Sequence, residues 1–292
     1  MKKMFAVLMT LFAVISCSTN SKDDFQRNEN EMMEITPDYL EVIEGINEIN
    51  AGLKPVETRA RWWKYLCTAI ADAGVSLIPG SSVATGITAS SLVWTMLKEV
   101  KSRQETRAVS EPVISIRDTS ISMTCLESPD WKKYDSDSDG YLHNRVIVNL
   151  YEDYGESLFD LSTSEFTDLA FAELARVEGR EIEYSQSEMN EIYTSIDEYV
   201  NAFITSETPD DFLNYLKIQY PDKNGEIEIL KAAMDGFTAL DVNEDEGKYV
   251  KKLMGIVDNS NLNEDSKKDV KSSLAVANAS TRLWNEDALV EP

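Results

Sequence analysis

The stretch Asp135-Ser136-Asp137-Ser138-Asp139-Gly140 carries the clearest chemistry in the chain. Carboxylates at alternate positions followed by glycine form the pattern of the first half of a calcium-binding loop. In such a loop positions one, three and five turn oxygens inward, and glycine at six permits the tight turn. Leu142 suits the apolar eighth position, but the second half departs from the pattern. His143 stands at position nine and is a poor ligand for a hard cation. Val146 stands at position twelve, where a bidentate Glu is expected. A cation held by Asp135, Asp137 and Asp139 would therefore bind weakly unless Glu152, Asp153 or a distant acid closed its shell. The competing reading is a solvated acidic turn ahead of a helix, with acids favoured near the helix N-terminus by the dipole.

His143 is the only histidine, and with Asn144 it runs directly into the apolar residues Val146, Ile147, Val148 and Leu150, which predict a buried helix. A catalytic histidine needs a nucleophile and an orienting carboxylate beside it in space. Without those, a histidine bordering an apolar run is a hydrogen-bonded core or boundary residue. The chain has no Gly-rich phosphate loop, no nucleophile elbow and no HExxH pair. No catalytic activity is inferred and no cofactor beyond that weak calcium reading. One His and three Cys exclude a His-rich or Cys-rich zinc site. With 28 basic and 52 acidic residues the formal charge is −24, which opposes a nucleic-acid partner because phosphates need a cationic surface.

The N-terminus reads as an address. Lys2 and Lys3 precede an apolar stretch from Met4 to Ile15, broken only by Thr10 and closed by Ser16-Cys17. This run is shorter than the roughly 20 residues a permanent span needs, and its layout is that of a secretory signal. Val14-Ile15-Ser16-Cys17 resembles the lipobox of bacterial lipoproteins, in which the cysteine becomes the lipidated first residue. Lys22-Asp23-Asp24 resembles the export run that sends Bacteroidetes-type lipoproteins to the outer face of the outer membrane. Gly140-Tyr141-Leu142-His143-Asn144 resembles a segment of an uncharacterised helical group of bacterial lipoproteins, a resemblance that implies no activity. Together these imply a signal peptide over 1–16, lipid (palmitate-type acyl chains) on Cys17, and a polar tether over 17–35. They imply that the protein contacts the outer membrane through its lipid and faces the exterior. Cys67 and Cys125 remain, and two buried thiols are expected in preference to a bridge.

The elements that must position these residues are helical. Thr36-Pro37-Asp38 opens a helix, with Thr36 as cap, and Ala51-Gly52 ends it. Residues 62–100 are apolar and rich in small residues, and between Tyr65 and Leu97 the only formal charge is Asp72. Pro79-Gly80 splits them into two arms of a hairpin. The hairpin is either buried at the centre of the fold or a membrane-active segment, and burial is the expectation because each arm is short and diluted by serines. Val113 to Thr124 alternates loosely, as an extended segment without a partner strand. Ser162-x-x-Glu165 and Ser185-x-x-Glu188 are capping boxes, and Thr208-Pro209-Asp210-Asp211 opens another helix. Amphipathic patterns follow over 226–240, 246–257 and from Val270 to the end.

The expectation is an all-α protein, a multi-helix bundle forming one domain over 36–292 around a buried small-residue hairpin at 62–100. Its expected role is interaction or envelope structure at the cell surface, through a protein partner. The alternative is a toxin or antagonist that deploys the hairpin into membranes.

Overall fold

Capping boxes close the first turn of three of the described helices. Ser162 and Ser185 each accept a hydrogen bond from the backbone N–H three residues on, while Glu165 and Glu188 reach back to the capping residues' own N–H groups. Thr208 and Asp211 repeat the arrangement. Each box satisfies two donors that a helix start otherwise leaves open. Thr36 occupies the cap position of the first helix, but its hydroxyl makes no capping bond, so the preset φ of Pro37 starts that helix.

The computed structural model describes residues 34–53, 69, 71–75, 77, 86–88, 137–179, 181, 183–206, 208–240 and 246–284. Among them no strand occurs, and the fold is all-α. In chain order the helices described over their length are α1 (Pro37–Ala51), α2 (Asp137–Tyr154), α3 (Thr163–Glu178), α4 (Gln186–Thr205), α5 (Pro209–Gln219), α6 (Asn224–Ala239), α7 (Glu246–Asn259) and α8 (Glu264–Trp284). Short 3₁₀ turns, Gly155–Asp160 and Pro221–Lys223, join α2 to α3 and α5 to α6. Gly179, in the left-handed region, ends α3 where a side chain would be strained. Every described residue belongs to one compact unit. The Val113–Thr124 segment, Cys67 and Cys125 lie outside the described residues.

Two apolar clusters organise the packing. The larger gathers Val42 and Ile46 of α1, Phe212 of α5, Phe237 of α6, Leu253 of α7 and Leu274 of α8. The smaller joins Val146 and Ile147 of α2 to Phe166 and Leu174 of α3, with Leu158 and Leu283. The apolar segment feeds both: Ala71, Ala73, Val75 and Leu77 enter the larger cluster and Ile87 the smaller. All described residues of 62–100 are buried, as a central position requires; the turn at Pro79-Gly80 and the outer ends lie outside the described residues. No described helix is long and apolar enough to cross a membrane.

Polar side chains fix how α1 docks. The Tyr249 hydroxyl donates to Asn50 Oδ1 at 2.8 Å, and Asn50 Nδ2 donates to the Ala232 carbonyl at 2.8 Å, tying α1 to α6 and α7. At the other end of α1, Tyr39 donates to Glu226 Oε1 at 2.7 Å, and Ser266 of α8 donates to the same oxygen at 2.7 Å. Burial raises the Tyr39 phenol, and the Glu226 charge adds to that rise, so Tyr39 stays neutral and donates.

Candidate functional site

α2 packs chiefly against α8, and the residues that allow this also build the polar centre of the molecule. Gly140, His143, Asn144 and Ile147 share one face of α2, spaced three and four apart. Ser273, Ala277 and Ser280 share one face of α8, all essentially inaccessible to solvent. A Cβ on Gly140 would lie 2.6 Å from the Ala275 carbonyl oxygen and 3.1 Å from Ala279 Cβ. Glycine is therefore required because the two backbones nearly touch.

Into this junction the apolar segment places Asp72, the one formal charge between Tyr65 and Leu97. Asp72 is fully buried and stands 3.3 Å from Nε2 of His143, which is 1% exposed. The other Asp72 oxygen accepts a hydrogen bond from the Ser280 hydroxyl. His143 Nδ1 lies 2.9 Å from Asn144 Oδ1, and Asn144 Nδ2 donates to the Ala279 carbonyl at 2.9 Å. The neighbouring backbone is tied in as well. Tyr199 of α4 donates to the Ala71 carbonyl at 2.6 Å, and Ser273 donates to the Ala73 carbonyl at 2.8 Å.

This network determines the protonation of the ring. A carbonyl only accepts, so the Asn144 amide group must face Ala279, which turns its oxygen toward His143. Nδ1 must then donate. Nε2 faces a carboxylate, where a lone pair would be repelled and a proton attracted. These surroundings favour hydrogen on both nitrogens, the imidazolium form of His143 paired with Asp72. Burial is the largest single influence on the ring and favours the neutral form. The Asp72 charge and the bonds to Asp72 and Asn144 together outweigh it, so the pKa lies above the usual 6.5. Burial and the Asp72 charge push the Tyr199 phenol far up, so it stays neutral.

The arrangement is a sealed charge pair. Ser280 gives its hydrogen to Asp72 and not to His143, so the ring does not activate that hydroxyl. Nδ1 is hydrogen-bonded to Asn144, and Nε2 stands in ion-pair contact with Asp72.

The residues predicted from sequence are distributed as follows. His143 and Asn144 come together at the buried centre. Cys17 and Asp135 lie outside the described residues. Asp137 opens α2, and Asp139 lies in its first turn, where Ser272 of α8 donates to its carboxylate. Residues 137–146, which would form positions three to twelve of a calcium loop, are continuous helix, the conformation of the competing helix-start reading. Gly140 serves the approach of α8 and makes no tight turn. Among the described residues no three His, Cys, Asp or Glu side chains are grouped to hold a metal ion. Sequence reasoning missed Asp72 as the partner of His143, although two signals pointed to it. Asp72 is the lone acid of an apolar run and His143 the lone histidine beside another, and buried charges require opposite partners.

No protein-family model, curated protein or solved structure matches the chain.

Proposed function

We propose that the chain is a lipid-anchored protein of the outer membrane, displayed outward, whose helical domain acts by binding a protein partner or by supporting the envelope. The observation that carries this reading against an enzymatic one is the commitment of its only histidine. Its Nδ1 is hydrogen-bonded to Asn144 and its Nε2 stands in ion-pair contact with Asp72, and the ring is 1% exposed to solvent. Anchoring is supported by the Lys2–Cys17 layout, since several acyl chains at about 0.8 kcal/mol per buried methylene hold a protein stably. Outward display is supported by Lys22-Asp23-Asp24 and by a formal charge of −24, which favours solubility over adsorption to anionic headgroups.

Fractionation of cells tests the anchor. Cys17→Ala is expected to move the protein from the membrane to the soluble fraction. Alanine at all three of Lys22, Asp23 and Asp24 is expected to leave it lipidated but shielded from protease added to whole cells. A Cys17→Ala protein that stays membrane-bound refutes lipid anchoring and favours the alternative, insertion of the apolar hairpin.

A further inference from the structure

We infer that the Asp72–His143 pair is a pH-operated latch that holds the apolar segment around residues 71–77 against α2 and α8. Three observations of geometry carry this. The segment's only charge meets the molecule's only histidine at 3.3 Å in a site closed to solvent. The Asn144 amide, oriented by the Ala279 carbonyl, leaves His143 a single arrangement that suits Asp72, the doubly protonated ring. Removing the Nε2 proton puts a lone pair against a buried carboxylate, and Asn144 has no way to rotate and compensate without losing Ala279.

The described groups facing the pair come from four elements. Asp72 comes from the apolar segment, Asn144 from α2, Ser280 and the Ala279 carbonyl from α8, and Tyr199, which feels the Asp72 charge, from α4. Tyr199 and Ser280 are neutral, so Asp72 is the one charge acting on the ring among the described residues. A group whose folded pKa exceeds its unfolded value stabilises fully below the unfolded value, near 6.5, and ceases to do so as pH rises through the folded one. The latch is therefore shut in acid-to-neutral solution and released on the alkaline side. What it releases is local: Ala71, Ala73 and Val75, held besides by the hydroxyls of Tyr199 and Ser273. α1, α6 and α7 keep their own apolar and polar contacts.

The full chain tests this without any variant, because a single histidine gives one imidazole signal. Its NMR titration is expected to have a midpoint above 6.5. Over the same range, amide hydrogen exchange corrected for intrinsic rates is expected to show protection falling at Ala71–Val75 but not at Ile227–Met234 of α6. Each pH unit between 6.5 and the His143 midpoint corresponds to about tenfold of that loss. Asp72→Asn is expected to bring the midpoint to 6.5 or below and to abolish the pH dependence of exchange. A midpoint at or below 6.5 in the unaltered chain overturns the latch. So does protection that falls equally in α6, or that does not fall at all. If Asp72→Asn does not fold, the unaltered chain still decides.

Discussion

Replacing Gly140 by alanine tests the junction at which the apolar segment is held. The added methyl would sit 2.6 Å from the Ala275 carbonyl oxygen, where ordinary contact begins near 3.4 Å, so α2 and α8 must part by about 0.8 Å. The obstacle is backbone and has no rotamer by which to move aside. Forcing such a contact costs about 1–3 kcal/mol. The same separation stretches the 2.9 Å Asn144–Ala279 bond to about 3.7 Å, beyond hydrogen-bond reach. A buried amide left without its partner adds about 1–3 kcal/mol. Alanine's better helix propensity returns about 1 kcal/mol. The net expectation is a loss of about 1–5 kcal/mol, lowering the thermal midpoint by about 2–20 °C in a chain of this size. The internal control is Gly255→Ala in α7, where a methyl meets nothing within 4 Å. There the propensity gain is unopposed, and the midpoint should rise by about 1–3 °C. Circular dichroism melts of the three proteins in calcium-free buffer suffice. A Gly140→Ala protein that melts with the unaltered chain, or above it, refutes the close approach of α2 and α8. A glycine needed only for a calcium loop would show its loss as a weaker response to added calcium, with the calcium-free melt unchanged.

Acidification should weaken the fold through its caps. Bonds from Ser162 and Ser185 hold Glu165 and Glu188 below their ordinary value of 4.5. Glu173 is raised by burial, but Arg176 and Asn149 outweigh that and lower it. Groups with depressed folded pKa values stabilise above 4.5 and lose that contribution as pH falls through the folded value, so melts from pH 6 to 3 should decline most steeply below about 4.5. Ser162→Ala and Ser185→Ala should each lower the neutral-pH midpoint by about 2–4 °C and flatten that decline; an undiminished acid slope in the double variant refutes the assignment. Tyr39→Phe removes a hydroxyl shared by Glu226 and Ser266 and should cost about 1–2 kcal/mol in urea unfolding. A neutral Tyr39→Phe would mean that the buried Glu226 is served adequately by Ser266 alone.

Helix type and many helix boundaries could be read from sequence because their causes are local. A capping box closes within three residues, so Ser162, Ser185 and Thr208 announced their helices directly. Apolar spacing along α4 and α8 declared a buried face whatever that face would meet. Asp139 and Gly140 were ambiguous in sequence because their local pattern has two physical causes. Alternating acids before glycine suit a cation loop, and they equally suit a helix start whose glycine admits a neighbouring backbone. Only the position of α8, more than a hundred residues away in the chain, selects the second. His143 was readable as a buried, hydrogen-bonded residue because the apolar helix around it left little else. Its partner was not, since Asp72 reaches it only where the apolar segment, α2 and α8 meet. The sequence by itself determined which segments are helical, which faces are apolar and that one acid lay stranded among small residues. The tertiary structure alone decided what that acid meets, because a buried charge pair is set by the crossing of helices and not by the spacing of residues along any one of them.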